Sequence, residues 1–546
     1  MVFKIILLII GLSILNPGLE AQDPTVPPQK PKLVIGIVIS GMRFDYLDRY
    51  WNKFSEGGFK RLVNNGVFCK NAHHDYLIAE SGAGYASIST GAYPDVHGIV
   101  SDYWYDRVRD KVAYSIDNEK VTTTGGGFGE GRFSPSKMLA GTLSDQSRIS
   151  SQFKSKVFSI SLDPRAAILS GGHSANAAYW FDNEFGKWIT SSYYLDSLPQ
   201  WVNEFNSKEF ANLYLDKSWE TMFPISEYTE SISDINKYER GIGGKVNFPY
   251  DLKVLSSLKK NKKNFKILRD TPFGNTFTKD FAISTIVNEN LGKGENTDWL
   301  QVSFASTSFI GKNFHTWSVE MEDAYIRLDK DLEHFLNFID EEVKMKNVLI
   351  YLTSENAMAD NPSFLKDNGM PSGYFNYNNA MFLLKTYLNL IYGNGEWVKF
   401  YYAQQIYLNN KLIEDSKLSI VEFQNRVANF MTQFEGVSNA LTSTNMLTNN
   451  YTRGYFEKMQ RSFSQKRSGD ILLHLYPGWI EKGAETEFES SLNYDSHVPL
   501  ILYGWKTGRK TIIRPISVTD LMPTIAVFLN ITRPGSIEGK LMEELF

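Results

Sequence analysis

Ser81 heads a run of small residues, SGAGYASISTG (81–91), that reads as the first turn of a helix. A hydroxyl there lies beside free backbone N–H groups and the positive end of the helix dipole, which stabilise anions and would favour an alkoxide nucleophile. The competing reading is a serine that only caps the helix. A second candidate is the loop Ser354-Glu355-Asn356-Ala357, which follows the apolar run Val348 to Ile350. Loops at the carboxyl ends of strands are where open α/β sheets gather catalytic and metal-binding groups. Cys69 is the only cysteine, so an intramolecular disulfide and a thiolate metal cluster are both excluded, and its setting, VFCKNA, reads as a buried small hydrophobe.

These residues need elements to hold them. LVIGIVIS (33–40) is β-branched and apolar throughout, as a central parallel strand is. Similar runs occur at 156–162, 299–306, 347–354 and 498–505. Helical patterns lie between them, including 322–343 and 517–530. Strands alternating with helices predict a doubly wound, mostly parallel α/β sheet. Residues 183–270 and 365–470 break the rhythm and read as cap insertions over that sheet. TTTGGGFGEG (122–131) reads as a loop, because its glycines do not precede a helix in a phosphate-cradling pattern.

Composition narrows the function classes. With 546 residues, 42% of them hydrophobic and 14% aromatic, the chain can bury a large core. A formal charge of −4 with no long run of one sign leaves no footprint for nucleic acid. The start combines one lysine, an apolar stretch from Ile5 to Leu15 and a small-residue exit at Ala21, the pattern of a cleaved secretory signal. That stretch is too short to span a bilayer, which needs about 20 residues. The expected organisation is therefore a signal over 1–21, a Pro-rich linker over 22–31 and one domain over 32–546. The mature chain carries no further membrane segment and is expected in the periplasm or outside the cell.

With these stretches in view, the chain resembles the alkaline phosphatase superfamily, in particular its PafA-type periplasmic monoesterases with a threonine nucleophile. The residues that carry the resemblance are GIVISGMRFDYLDRY (36–50), STGAYPDVHGI (89–99), SLDPRAAIL (161–169), YWFD (179–182), TPFGNT (271–276), EDAYIRLD (322–329), KRSGDI (466–471) and NYDSHVPL (493–500). The resemblance implies the same fold over nearly the whole mature chain. It also implies two zinc ions, which activate the nucleophile and stabilise the transferred phosphoryl group. Three Asp and three His hold those ions in the family, and their positions fall on Ser40, Ser308, Lys312, Glu355, Asn356 and His497. Only His497 keeps its residue type. The nucleophile falls on Ser81, an Asn that donates to phosphate falls on Asp102, and the Lys of a K-x-R pair falls on Asp163, whereas Arg165 is retained. The two new carboxylates are expected to repel a phosphate dianion.

The altered set carries one carboxylate and one ammonium, so its charge sums to about zero, and Glu355 and His497 are its only good metal donors. Zinc needs roughly three or four donors per ion. No cofactor is therefore expected, and the leading reading is an exported pseudoenzyme that binds a phosphate-ester or glycan ligand or an envelope protein. The alternative is an active phosphate-ester or sulfate-ester hydrolase that uses Ser81 with an altered or single zinc site, Lys312 standing in for a metal. The same residues raise further readings: an ion pair between Glu355 and Lys312, a structural role for His73 and His74, His315 as a second choice of ligand only if its loop shifts, and, for the aromatics of YYLDSLPQWVNEF (193–205), the cap's own core first and a row facing a sugar second.

Overall fold

Apolar runs without polar alternation bury both faces of a strand, and four of the five predicted runs form the parallel centre of one large sheet. The computed structural model describes residues 29–546 except 78–79, 128, 258–262, 483–486 and 489–495, with backbone alone at 487–488. The predicted signal and most of the linker lie outside the described residues. The main strands are β1 (Leu33–Ile39), β2 (Val67–His73), β3 (Val157–Ser161), β4 (Ala177–Asp182), β5 (Lys187–Ser191), β6 (Asp298–Phe304), β7 (Val348–Thr353), β8 (His497–Gly504) and β9 (Lys510–Ile512). Their spatial order is β9-β2-β8-β7-β1-β6-β3-β4-β5.

β1 pairs in parallel with both β6 and β7, and the parallel ladder continues through β3 to β4. The fifth predicted run, read as another parallel strand, is β8, and it runs antiparallel to β7 and to β2. Two antiparallel pairings cancel, so β2 points the same way as the centre. The carboxyl ends of β1, β2, β3, β6 and β7 and the start of β8 therefore share one edge. Part of the glycine-rich stretch read as a loop is also a strand, because Thr123–Thr124 pairs with β5.

Alternate residues of β1 enter opposite layers: Leu33, Ile35, Ile37 and Ile39 join one core, and Val34 and Val38 join the other. Gly36 breaks the bulk of this run for a reason. The Tyr351 hydroxyl donates to Gln301 Oε1 at 2.7 Å across it, and a Cβ at position 36 would lie 2.0 Å from that oxygen.

The insertions differ in how they pack. Helices Gln200–Ser207 and Phe210–Leu215 send Val202, Phe205 and Leu215 into the first sheet core. Trp201 and Phe205 pack against Phe281, so these aromatics are core, the first of their two readings, and not a row facing a sugar. The later insertion has its own core, around Phe375, Leu384, Trp397, Phe423 and Leu473, and its own four-stranded sheet. That sheet is completed by Ile471–Leu475, beyond the expected boundary at 470.

Four helices position the cleft and its surroundings: α1 (Ser81–Thr90), α2 (Pro164–Gly171), α3 (Ser306–Phe314) and α4 (Val319–Glu342). α4 starts earlier than its apolar period suggests because the Ser318 hydroxyl accepts from the Met321 N–H. Asp360 ties the loops around them together. Its Oδ1 accepts from Arg43 at 2.7 Å, Thr316 at 2.5 Å and the Trp317 indole at 2.9 Å. Burial alone would raise its pKa, but the Arg43 guanidinium and these donors hold it below the usual carboxylate range. Asp360→Ala leaves Arg43 short of one of its two carboxylates in a largely buried setting. The expected loss is about 3–5 kcal/mol, read as a lowered midpoint in denaturant unfolding; an unchanged midpoint would refute this role.

Candidate active site

Each predicted site residue leaves the sheet at the shared edge. Ser40 follows β1, Ser354 and Glu355 follow β7, Asp163 and Arg165 follow β3, and α3 follows β6 with Ser308 and Lys312. His497 opens β8. Asp102 lies beyond α1 and reaches back to its first turn. The fold brings this group to one cleft, as expected for the carboxyl edge of an α/β sheet.

Glu355 is fully buried. The Ser40 hydroxyl donates to its Oε1, and the Ser81 hydroxyl lies 3.4 Å from the same oxygen. Ser354 approaches its Oε2 at 3.4 Å and also donates to the Asn356 carbonyl at 2.5 Å. The ion pair expected between Glu355 and Lys312 does not form. Lys312 is solvent-exposed, and its charge acts on Glu80 and Asp163 instead. A glycine in α1 makes this geometry feasible: a Cβ at Gly84 would lie 2.1 Å from the Glu355 carbonyl oxygen.

Ser81 is the first residue of α1, and no side chain caps that helix. The plain capping role is therefore not what the hydroxyl does; it faces Glu355. The next backbone N–H, that of Gly82, donates to Asp102 Oδ1 at 2.9 Å. This N–H is one of the groups that could have met a bound anion.

Arg165 is fully engaged by carboxylates. Its Nη1 donates to Asp102 Oδ2, and its Nη2 and Nε donate to Asp163 at 2.6 and 3.1 Å. Asp163 also caps α2 through the Arg165 N–H at 2.9 Å. The expectation that Asp102 and Asp163 act by repelling phosphate is thus too simple. They occupy the fork that phosphate would use.

The retained ligand-position residue, His497, is turned to structural work. Its Nε2 meets the Lys70 carbonyl at 2.9 Å, and its ring stacks on Phe44 at 4.3 Å and His73 at 4.6 Å. Burial lowers its pKa. His74 meets the Ser354 carbonyl at 2.9 Å, and burial pushes it down to about 4. His315 is buried beside Tyr238 and Phe364. Asn356 is largely buried.

Several neighbours escaped the sequence reading. Glu80 Oε2 accepts from the Asp102 N–H at 2.6 Å, and its carboxyl meets the Tyr402 hydroxyl. Burial raises the Glu80 pKa to about 7, against the opposing pull of Tyr402, Arg165 and Lys312. Tyr402 comes from the later insertion and packs edge-on to Tyr103 at 5.4 Å. Arg269 adds a cation whose field reaches Asp163. Adjacency to Ser81 was the only sequence signal for Glu80; Tyr402 and Arg269 had none.

The donor set does not fit two zinc ions. The one carboxylate at a ligand position already accepts from two serine hydroxyls, the imidazole is tied to a backbone carbonyl, and Ser40, Ser308, Lys312 and Asn356 offer poor donors or a competing positive charge. Arg165 is paired with Asp102 and Asp163, and the charges of Arg269 and Lys312 also act on Asp163, so the cleft's cations already face the chain's own carboxylates.

Comparison with known proteins is consistent with this architecture. A profile of the type I phosphodiesterase / nucleotide pyrophosphatase family matches residues 34–496. The chain is 35% identical to alkaline phosphatase PhoV of Synechococcus elongatus, covering 99% of this chain and 100% of that one. It is 34% identical to alkaline phosphatase PafA of Elizabethkingia meningoseptica, covering 98% of each. The solved structure of wild-type alkaline phosphatase PafA superposes with a TM-score of 0.89 at 34% identity, covering 94% of this chain and 99% of that one.

The closed Arg165 fork yields a direct test. Asp102→Asn combined with Asp163→Lys removes both competing carboxylates. Hydrogen bonds to charged groups are worth about 1.5–3 kcal/mol each, so inorganic phosphate should bind at least about tenfold more tightly to this variant than to the parent by titration calorimetry. Equal affinities would show that the fork is not what excludes the anion.

Proposed function

This chain belongs to the type I phosphodiesterase / nucleotide pyrophosphatase family as an alkaline-phosphatase-like member, and on that basis we propose that it is an exported pseudophosphatase. It keeps the fold and the cleft but lacks the dizinc chemistry, and it acts by binding. The observation that carries this reading is the pairing of Arg165 with Asp102 and Asp163, which fills the anion receptor with the chain's own carboxylates. The bonding of Glu355 to Ser40 and Ser81 supports it from the metal side. Export to the periplasm or beyond rests on the signal-like start. Among the described residues, no helix is long and apolar enough to cross a membrane.

A second reading is favoured by one observation: Ser81 retains its place at the head of α1 with its hydroxyl facing a carboxylate. In that reading Glu355 accepts the Ser81 proton, Ser81 attacks the phosphorus or sulfur of an ester, the ester P–O or S–O bond breaks and the alcohol leaves with a proton from water, and a second water hydrolyses the Ser81 ester, with Lys312 offsetting developing negative charge. Arg165 would first have to leave its two carboxylates.

Metal analysis and ester turnover by the purified mature protein separate the two. The pseudophosphatase reading expects substoichiometric zinc after incubation with the metal and no hydrolysis of an aryl phosphate that depends on Ser81. Stoichiometric zinc together with activity abolished by Ser81→Ala would overturn it. Zinc-independent hydrolysis lost in both Ser81→Ala and Lys312→Ala would establish the second reading instead.

A further inference from the structure

Away from the cleft, the segment 218–251 lies across the first turn of α4 and is fastened there by three buried acids. Asp323 accepts from the Trp219 indole at 2.7 Å, the Met222 N–H at 2.7 Å and the Tyr228 hydroxyl at 2.6 Å. Glu322 accepts from the Ser231 hydroxyl at 2.6 Å, and Glu320 from the Tyr250 hydroxyl at 2.5 Å. Of these three acids, Asp323 alone has a directly bonded cation among the described residues, Arg327 at 2.6 Å. Glu320 is fully buried, and its Oε2 has no partner among those residues; Glu239 Oε2, from the segment itself, is likewise buried and unpartnered.

We propose that 218–251 is an alkali-sensitive strap, latched on α4 by Glu239 and Glu320 in their protonated forms and released when they ionise. A neutral carboxyl can stay in such a place without a cation, whereas a carboxylate cannot. The groups facing the pair are few. Asp234 and Tyr250 add no positive charge, and Asn236 donates to Glu239 at 2.5 Å. Lys245 is a nearby cation, 5.7 Å from the Tyr250 ring centre, and its ammonium lies 3.5 Å from the Asn247 side-chain oxygen. Glu322 faces Glu230 and Lys53 at the far end of the turn.

Burial raises Glu320 to about 9 and Glu239 to about 8, each pushed further by neighbouring acids. Both stand above the ordinary glutamate value of 4.5. The latch's contribution is therefore complete below that value and is lost as pH rises through the folded values. Release would reach the cleft, because the Arg240 and Gly241 N–H groups donate to the Asn313 carbonyl, one residue from Lys312. Tyr238 also packs on His315 and Phe364. The strap does not depend on whether the cleft is catalytic.

Hydrogen exchange of the full-length protein tests this, with rates corrected for intrinsic pH chemistry and β1 as internal reference. Exchange within 218–251 should rise at least about tenfold between about pH 6 and about pH 10, while β1 stays protected. Glu239→Gln with Glu320→Gln, which mimics the protonated pair, should hold the strap at its low rate at both values. A pH-independent strap in the parent, or an unchanged rise in the variant, would overturn the proposal. Restored protection of the parent at high pH by calcium chloride would also overturn it, by making the acids a cation site. If the variant does not fold, the parent profile decides: a midpoint between about 8 and 9 supports the latch, and one below 7 or none overturns it.

Discussion

A carboxyl group sealed from water must have a cation, several donors or a proton beside it, and this requirement shapes the chain around its cleft. Four solutions occur in one molecule. Asp360 uses the cation Arg43 and two further donors to bind three loops. Asp102 and Asp163 share the cation Arg165. Glu355 draws on the hydroxyls of Ser40 and Ser81. Glu320 has one phenol and, among the described residues, no directly bonded cation, which leaves the proton. In the first two, one guanidinium serves two carboxylates. Of the last two, Glu320 is where a change of pH would be felt.

The close approach of these groups depends on residues with no side chain to intervene. α1 passes the β7 loop so tightly that Gly84 meets the Glu355 carbonyl and Gly82 meets Asp102. The small-residue run that suggested a nucleophile helix is thus also a packing requirement. It keeps Ser81 facing Glu355 whether or not any chemistry follows.

The fold was legible because near-continuous apolar runs such as 33–40 and 347–354 can satisfy both faces of a strand only in the middle of a covered sheet. The direction of β8 was not legible, since an apolar run has no polarity of its own and VPLILYGW reads alike in parallel or antiparallel pairing. The site positions were legible through the resemblance and the strand ends. Their partners were not. Nothing local in SLDPRAA shows that Arg165 turns to Asp102, which lies 63 residues earlier in the chain. Tyr402 reaches Glu80 from an inserted domain whose sequence carries no sign of its orientation. Lys312 illustrates the opposite error: opposite charges at two positions the resemblance makes ligands suggested a pair, but the Lys312 charge acts on Glu80 and Asp163.

The substitutions on the two sides of the cleft make sense together. The resemblance places zinc ions where Ser40, Ser308 and Lys312 now stand, and a phosphate dianion where Asp102 and Asp163 now reach Arg165. On that resemblance, serines at two Asp positions and a lysine at a His position lower the negative charge that a ligand set without its metals would crowd together. Leaving the phosphate side unchanged would then have kept a lysine and an arginine facing no anion. Two aspartates supply the missing negative charge at the fork, with Asp163 bonding Arg165 through two nitrogens. The cleft thus resembles, in its charges, an enzyme with its anion already bound. A site balanced in this way gains little by admitting phosphate, because every new contact would have to displace an ion pair that is already formed and only slightly exposed.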